Sequence, residues 1–255
     1  MKFSANLGFL WDDRPYPDRI RAARAAGFDA VELHWPYDDD PADVKAALDE
    51  TGLPCLGLNT SRGDVDAGEN GLSALPGREG DARAAIEQAL DYAVAIDAAN
   101  VHVMAGFAEG MEAEATFINN LQFACARAGG RGILIEPLNR YDAPGYFLKT
   151  ATEAARIINA VGDDTVKLMF DCYHLQMMGG DLTHQLQDLM PIIGHVQFAA
   201  VPDRGTPDHG EVHYPYIFGL LDQLGWQTPL GAEYKDPRPT DETLDWLKTA
   251  REGRT

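Results

Sequence analysis

PADVKAALDETGLPCLGLN, residues 41–59, holds a helix and a strand back to back. Pro41 stands where a first helical turn leaves its N–H unused, and Gly52 where a helix closes in the left-handed conformation. Residues 41–52 therefore read as a helix with proline first and glycine last. The run PCLGLN at 54–59 is too short and too apolar for a second helix and reads as a buried strand. The same unit recurs on either side. Short apolar runs lie near 2–7 (KFSANL), 29–34 (DAVELH), 100–105 (NVHVMA), 131–136 (RGILIE), 166–171 (VKLMFD), 192–198 (IIGHVQF) and 229–234 (PLGAEY). Between them, DARAAIEQALDYAVAI places Ala82, Ile86, Ala89, Leu90 and Ala93 on one helical face, and AARAAGF, ARAGG and DQLG end helical segments on glycine. Eight strand–helix alternations predict an α/β fold of the (β/α)8 TIM-barrel type, a single domain over residues 1–255. A doubly wound sheet is the alternative. It would place a glycine-rich phosphate turn after the first strand, where ANLGFLWDD stands instead. The longest excursion, residues 60–80 (TSRGDVDAGENGLSALPGREG), reads as a functional loop on the barrel rim.

Composition narrows the partners. Twenty-one basic residues against forty acidic ones give a formal charge of −19, which opposes nucleic-acid binding because phosphate backbones are held by clustered Lys and Arg. An anionic small substrate would need its own local cations. The N-terminal MKFSANLGFLWDD has no sustained apolar run, and no segment has the length of a membrane span. Cys55, Cys125 and Cys172 form neither a disulfide framework nor a zinc spacing, and the expected location is the cytoplasm. No nucleic-acid or membrane partner is expected, and a homo-oligomer is left open. Other motif matches fail. DVDAGENG lacks the turn glycine and final glutamate of a calcium loop, and HGEVH is not a zinc HExxH.

The barrel reading changes the meaning of ILIEPLNRYD, residues 133–142. Three branched aliphatics run straight into Glu136, and Pro137 stops further ladder pairing. In a TIM barrel the chemistry sits where strands end. VKLMFD ends in Asp171, GHVQF carries Gln197, and LGAEYK carries Glu233. Alternation pairs Leu134 with Glu136, Met169 with Asp171, His195 with Gln197, and Gly231 with Glu233 and Lys235. Four oxygen-bearing side chains from four consecutive strands then converge at one rim. Three carboxylates that close repel one another unless a cation sits among them. With the amide oxygen of Gln197 they form a hard shell suited to Mg²⁺ or Mn²⁺. His195 reads as a core histidine one layer below. Arg204 and Lys235 are the candidate partners of a substrate carboxylate, ahead of Arg78 and Arg140. His174 is a candidate donor to a substrate oxygen.

Long stretches carry a family resemblance: AGFDAVELHWPYD, AGENGLSALPGRE, IEPLNRYDAPGYFL, FDCYHLQMMGGDLT, GHVQFAAVPDRGTPDHGEVHYPYIF and GAEYK. The sequence resembles the hydroxypyruvate isomerases of the xylose-isomerase-like barrel superfamily over essentially its whole length, and equally the sibling 2-oxotetronate isomerases. The resemblance implies that Glu136, Asp171, Gln197 and Glu233 hold the metal and that Glu136 and Glu233 form the acid/base pair. It implies conversion of hydroxypyruvate to tartronate semialdehyde, or the equivalent step on 2-oxotetronate, by an enediolate. The rivals are a ketose 3-epimerase, whose third-strand ligand would more often be histidine than Gln197; an apurinic-site endonuclease, opposed by the charge; and, outside enzymes, a sugar-acid binding protein without catalysis.

Overall fold

All eight apolar runs become parallel strands, because each is buried on both faces and cannot leave its N–H and C=O groups unpaired. In the computed structural model, which describes residues 1–252, they are β1 (Phe3–Asn6), β2 (Ala30–Glu32), β3 (Leu58–Asn59), β4 (Asn100–His102), β5 (Gly132–Ile135), β6 (Val166–Asp171), β7 (Ile193–Phe198) and β8 (Leu230–Ala232). The helices between and after them are α1 (Tyr16–Ala26), α2 (Pro41–Thr51), α3 (Glu79–Ile96), α4 (Gly110–Arg127) and α5 (Ala151–Val161). They continue with α6 (Cys172–Met178), α7 (Leu182–Leu189), α8 (Tyr214–Gln223) and α9 (Asp245–Arg251). The order β2-β1-β8-β7-β6-β5-β4-β3 pairs every neighbour in parallel.

Closure falls to the segment that opened the sequence reading. Gly52 ends α2 with φ +67, a left-handed conformation that costs glycine little. The chain then runs beside β2: Val31 N donates to Pro54 O (3.0 Å), Leu56 N to Val31 O (2.8 Å), Leu33 N to Gly57 O (2.9 Å) and Asn59 N to His34 O (2.9 Å). These bonds join the two ends of the eight-stranded sheet and make it a barrel. The regular ladder of β3 is shorter than the predicted run, since Pro54 has no N–H to contribute.

Alternation divides the strands between two environments. Phe3, Ala5, Val31, Val101, Ile133, Ile135, Leu168, Phe170, Val196 and Phe198 face the helices and belong to the main apolar core. The predicted face of α3 packs there as expected, with Ala82, Ile86, Ala89, Leu90 and Ala93 all buried. Phe3 and Phe198 meet Phe218 of α8 and Trp246 of α9 edge-on at centroid distances of 5.1–5.4 Å. Each such pair adds about 0.5–1.5 kcal/mol beyond burial. The opposite set points into the barrel and is largely polar: Ser4, Asn6, Glu32, His102, His195 and Gln197 are all buried, with Leu134 and Met169 among them. Gly231 of β8 makes room for them, because a Cβ there would lie 2.5 Å from Glu32 Oε1 and 2.7 Å from Gln197 Cγ. No helix among the described residues is long and apolar enough to cross a membrane.

Candidate active site

The three strand-end carboxylates meet at one rim, each delivered by the residue where its ladder stops. Glu136 follows β5 directly. Asp171 is both the last residue of β6 and the cap of α6, its Oδ1 accepting from Tyr173 N at 2.8 Å. Glu233 follows β8. Together with His174 on α6 they form a buried group whose nearest ligating atoms all lie within 4.8 Å of one another.

Their hydrogen bonding is uneven. Glu233 is fully engaged: Oε1 accepts from Asn6 Nδ2 (3.0 Å) and His34 Nε2 (2.9 Å), and Oε2 from Arg204 Nη2 (2.5 Å). By contrast, Glu136 Oε1, Asp171 Oδ2 and Gln197 Oε1 are buried with no hydrogen-bond partner. Leaving even one buried acceptor unpaired is costly, so these three orphans, with Gln197 the ladder partner of Asp171 and Glu136 clustered with Asp171 just after β5, mark a place built for something that accepts their lone pairs.

Gln197 is oriented from below. Its Nε2 donates to Glu32 Oε2 at 2.7 Å, and a carboxylate can only accept. That fixes the amide so that Oε1 is the free end. Ser4 Oγ also donates to Glu32, and His195 Nε2 lies 3.0 Å from it. Burial works to raise the Glu32 carboxyl, but His195, Ser4 and Gln197 outweigh it and hold it below its ordinary range. His195 is thus a buried histidine one layer below the site, as its alternation with Gln197 suggested.

The tautomer of His174 follows from its neighbours. Burial, reinforced by Arg204, keeps the ring neutral well below its ordinary pKa. Nδ1 accepts from Asn139 N (3.1 Å) and faces Asn139 Nδ2 at 2.8 Å. The single ring proton therefore sits on Nε2, which lies 3.6 Å from Asp171 Oδ2 and 3.9 Å from Glu136 Oε1. A protonated ring nitrogen donates and does not ligate a cation. With the proton there, His174 presents a donor rather than a lone pair to Asp171 and Glu136.

The electrostatics follow from packing. Burial, then the charges of Glu233 and Asp171, push Glu136 well above its ordinary value. Burial and Glu233 raise Asp171 to about 7. Burial acts to raise Glu233 as well, but the Arg204 guanidinium and the His34 hydrogen bond overcome it and hold that carboxyl below its usual range. The two glutamates are therefore unlike: one is pressed to keep a proton, the other to shed it.

Above the cluster opens a cavity of about 710 Å³, walled by Phe9, Trp35, Arg62, Met104, Phe107 and Tyr173 and floored by Glu136, His174 and Glu233. Arg62, Glu69 and Asn70 bring the predicted rim loop to it. Arg204, a proposed carboxylate partner, also lines the cavity, yet its guanidinium is tied to Glu233 and lies 3.7 Å from Asp142 and 4.0 Å from Asp171. Lys235 is exposed at the mouth, its Nζ 4.4 Å from the Phe9 ring centroid. Arg78 is paired with Glu69 and Asp81, and Arg140 donates to Tyr141. Sequence reasoning missed Glu32 and His34, although both stand at alternate positions of VELHW and carried the same period-two signal as the later strands. It also missed Asn6, His102 and Arg62. Burial lowers His102 to about 4, so it is neutral beside Glu136 at 3.8 Å.

Comparison with known proteins agrees with this architecture. The family described as xylose isomerase-like TIM barrel matches residues 20–250. A 2-oxo-tetronate isomerase of Cupriavidus necator is 43% identical over 97% of both chains. The hydroxypyruvate isomerase of Escherichia coli is 34% identical over 98% of this chain and all of its own. A crystal structure described as an AP endonuclease, family 2, from Brucella melitensis superimposes with a TM-score of 0.93 at 38% identity, over 97% of this chain and 98% of that one. The chain belongs to the xylose isomerase-like TIM barrel family.

Proposed function

We propose that this member of the xylose isomerase-like TIM barrel family is a divalent-metal isomerase of small 2-keto-3-hydroxy acids, acting on hydroxypyruvate or on 2-oxotetronate. One observation carries the reading: the unpartnered oxygens of Glu136 and Asp171, clustered with Glu233, and of Gln197, the ladder partner of Asp171. Glu136, Asp171, Gln197 and Glu233 would hold the ion, and an all-oxygen set of this kind favours Mg²⁺ or Mn²⁺. When bound, it would supply Lewis acidity toward the substrate's neighbouring oxygens, a contribution of several kcal/mol to stabilising an enediolate.

The chain's own residues supply the proton traffic. Isomerising hydroxypyruvate moves one proton from C3 to C2 and one from the C3 hydroxyl to the C2 oxygen, giving tartronate semialdehyde with no net change in composition. Two carboxylates standing at the ends of different strands of the same site divide such work between them. Glu233, held ionised by Arg204 and His34, accepts the C3 proton and passes it to the C2 oxygen; Glu136, after β5 and three strands away in the barrel, takes the C3-hydroxyl proton and delivers it to C2. His174 Nε2–H donates to a substrate oxygen. Three free cysteines, two of them buried, suit a reducing cytoplasm.

A strand-cleaving reading, prompted by the Brucella relative's description, is disfavoured by the charge: −19 overall repels a phosphate backbone. The test is turnover of hydroxypyruvate and 2-oxotetronate by the purified protein with Mg²⁺ or Mn²⁺, in D₂O. Activity that EDTA abolishes, with solvent deuterium in the product, is the expected result. Full activity in metal-free protein, or an unlabelled product, overturns the mechanism; turnover of neutral ketoses alone overturns the substrate class.

A further inference from the structure

If the substrate is an acid, some cation must meet its carboxylate, and Arg204 is already committed to Glu233. The remaining cations of the cavity are Lys235 and Arg62. Lys235 is exposed, and water competes for it. Arg62 differs in three ways. Its guanidinium carbon lies 3.9 Å from the Trp35 ring centroid, and the Trp35 indole N–H donates to Thr60 O at 3.0 Å, which fixes the platform. Its backbone is pinned as well, since Gly71 N donates to Arg62 O at 2.9 Å and holds the two ends of the loop together. Among the described residues no carboxylate lies within ion-pair distance of it. Glu69, the loop acid that lines the same cavity, is used by Arg78 Nη1 (2.6 Å) and Asp64 N (2.7 Å). In a chain with forty acidic side chains to twenty-one basic ones, a half-buried arginine with no acidic partner is out of balance. It also faces the same cavity as the metal-site carboxylates.

We propose that Arg62, stacked on Trp35, is the specificity-determining residue that binds the carboxylate of the keto-acid substrate and separates it from neutral ketoses. This rests on the keto-acid reading given above. A guanidinium presents two parallel donors to a carboxylate, and stacking on an indole leaves that fork edge free while removing competing water. Arg204 then acts on Glu233, and Arg62 on the substrate.

The test uses the Mg²⁺-loaded enzyme with Arg62→Gln and Arg62→Lys. Two ligand pairs isolate the carboxylate: hydroxypyruvate against dihydroxyacetone, its neutral counterpart, and D-glycerate, which cannot isomerise, against glycerol. Arg62→Gln should raise KM for hydroxypyruvate and Kd for glycerate by about 10- to 100-fold, the usual worth of a charged hydrogen-bond pair. kcat should change much less, Arg62→Lys should restore part of the affinity, and inhibition by dihydroxyacetone should be unaltered. Unchanged KM and Kd in Arg62→Gln, or an equal loss for the neutral ligands, overturns the inference while leaving the isomerase reading intact. Failure of the wild type to bind glycerate overturns it as well. If the wild type binds glycerate through Arg62 yet turns over no keto acid, the inference stands and the proposed reaction falls.

Discussion

Metal binding by this site should be a proton-release reaction. In the metal-free protein Asp171 titrates at about 7 and Glu136 is held higher than an ordinary carboxyl, both because they are buried beside other negative charges. A cation binds only their ionised forms. The sign follows: affinity rises with pH until both carboxyls are ionised and falls as pH drops through about 7. Between pH 7 and 5.5 the ionised fraction of Asp171 alone falls from about one half to a few per cent, which weakens binding about 15-fold. Glu136 adds to this, so the logarithm of Kd should change by more than one per pH unit. Glu233 adds nothing in this window, since Arg204 and His34 keep it ionised throughout. Calorimetric titration of Mn²⁺ at pH 6 in buffers of different ionisation enthalpy reads the protons directly, with between one and two expected per ion bound. Asp171→Asn should bind more weakly and lose about one proton of that release. An apparent affinity flat from pH 5.5 to 7.5, with no buffer dependence, would refute the assignment of these carboxyls as ligands.

The two glutamates should separate in D₂O. Glu136→Gln is expected to lose at least ~10²-fold in kcat while still exchanging the C3 hydrogen of hydroxypyruvate with solvent, whereas Glu233→Gln should lose both. The reverse pattern by NMR would exchange their roles, and near-wild-type turnover in a folded Glu136→Gln protein would return that residue to a plain strand-end glutamate. Glu32→Gln should weaken metal affinity about tenfold without touching the ion, because the Gln197 amide is no longer forced to turn Oε1 outward. Unaltered Kd in this variant, at an unchanged fold by circular dichroism, would show that Gln197 is not a ligand.

Eight buried strands alternating with helices were legible from period and length alone, since residues such as Pro41 and Gly52 report backbone conformation one position at a time. The convergence of Glu136, Asp171 and Glu233 was legible too, because a barrel makes every strand end at the same rim and the alternation of side chains is strict. Partners were not legible. That Arg204 neutralises Glu233, that Glu32 turns the Gln197 amide, and that Asn139 fixes the His174 proton on Nε2 all depend on contacts between residues 29, 165 and 35 positions apart. A sequence lists which groups can ionise or donate. Only the folded packing sets the distances and the burial, and those decide which carboxyl keeps its proton, which arginine is spent inside the protein, and which is left to meet a ligand.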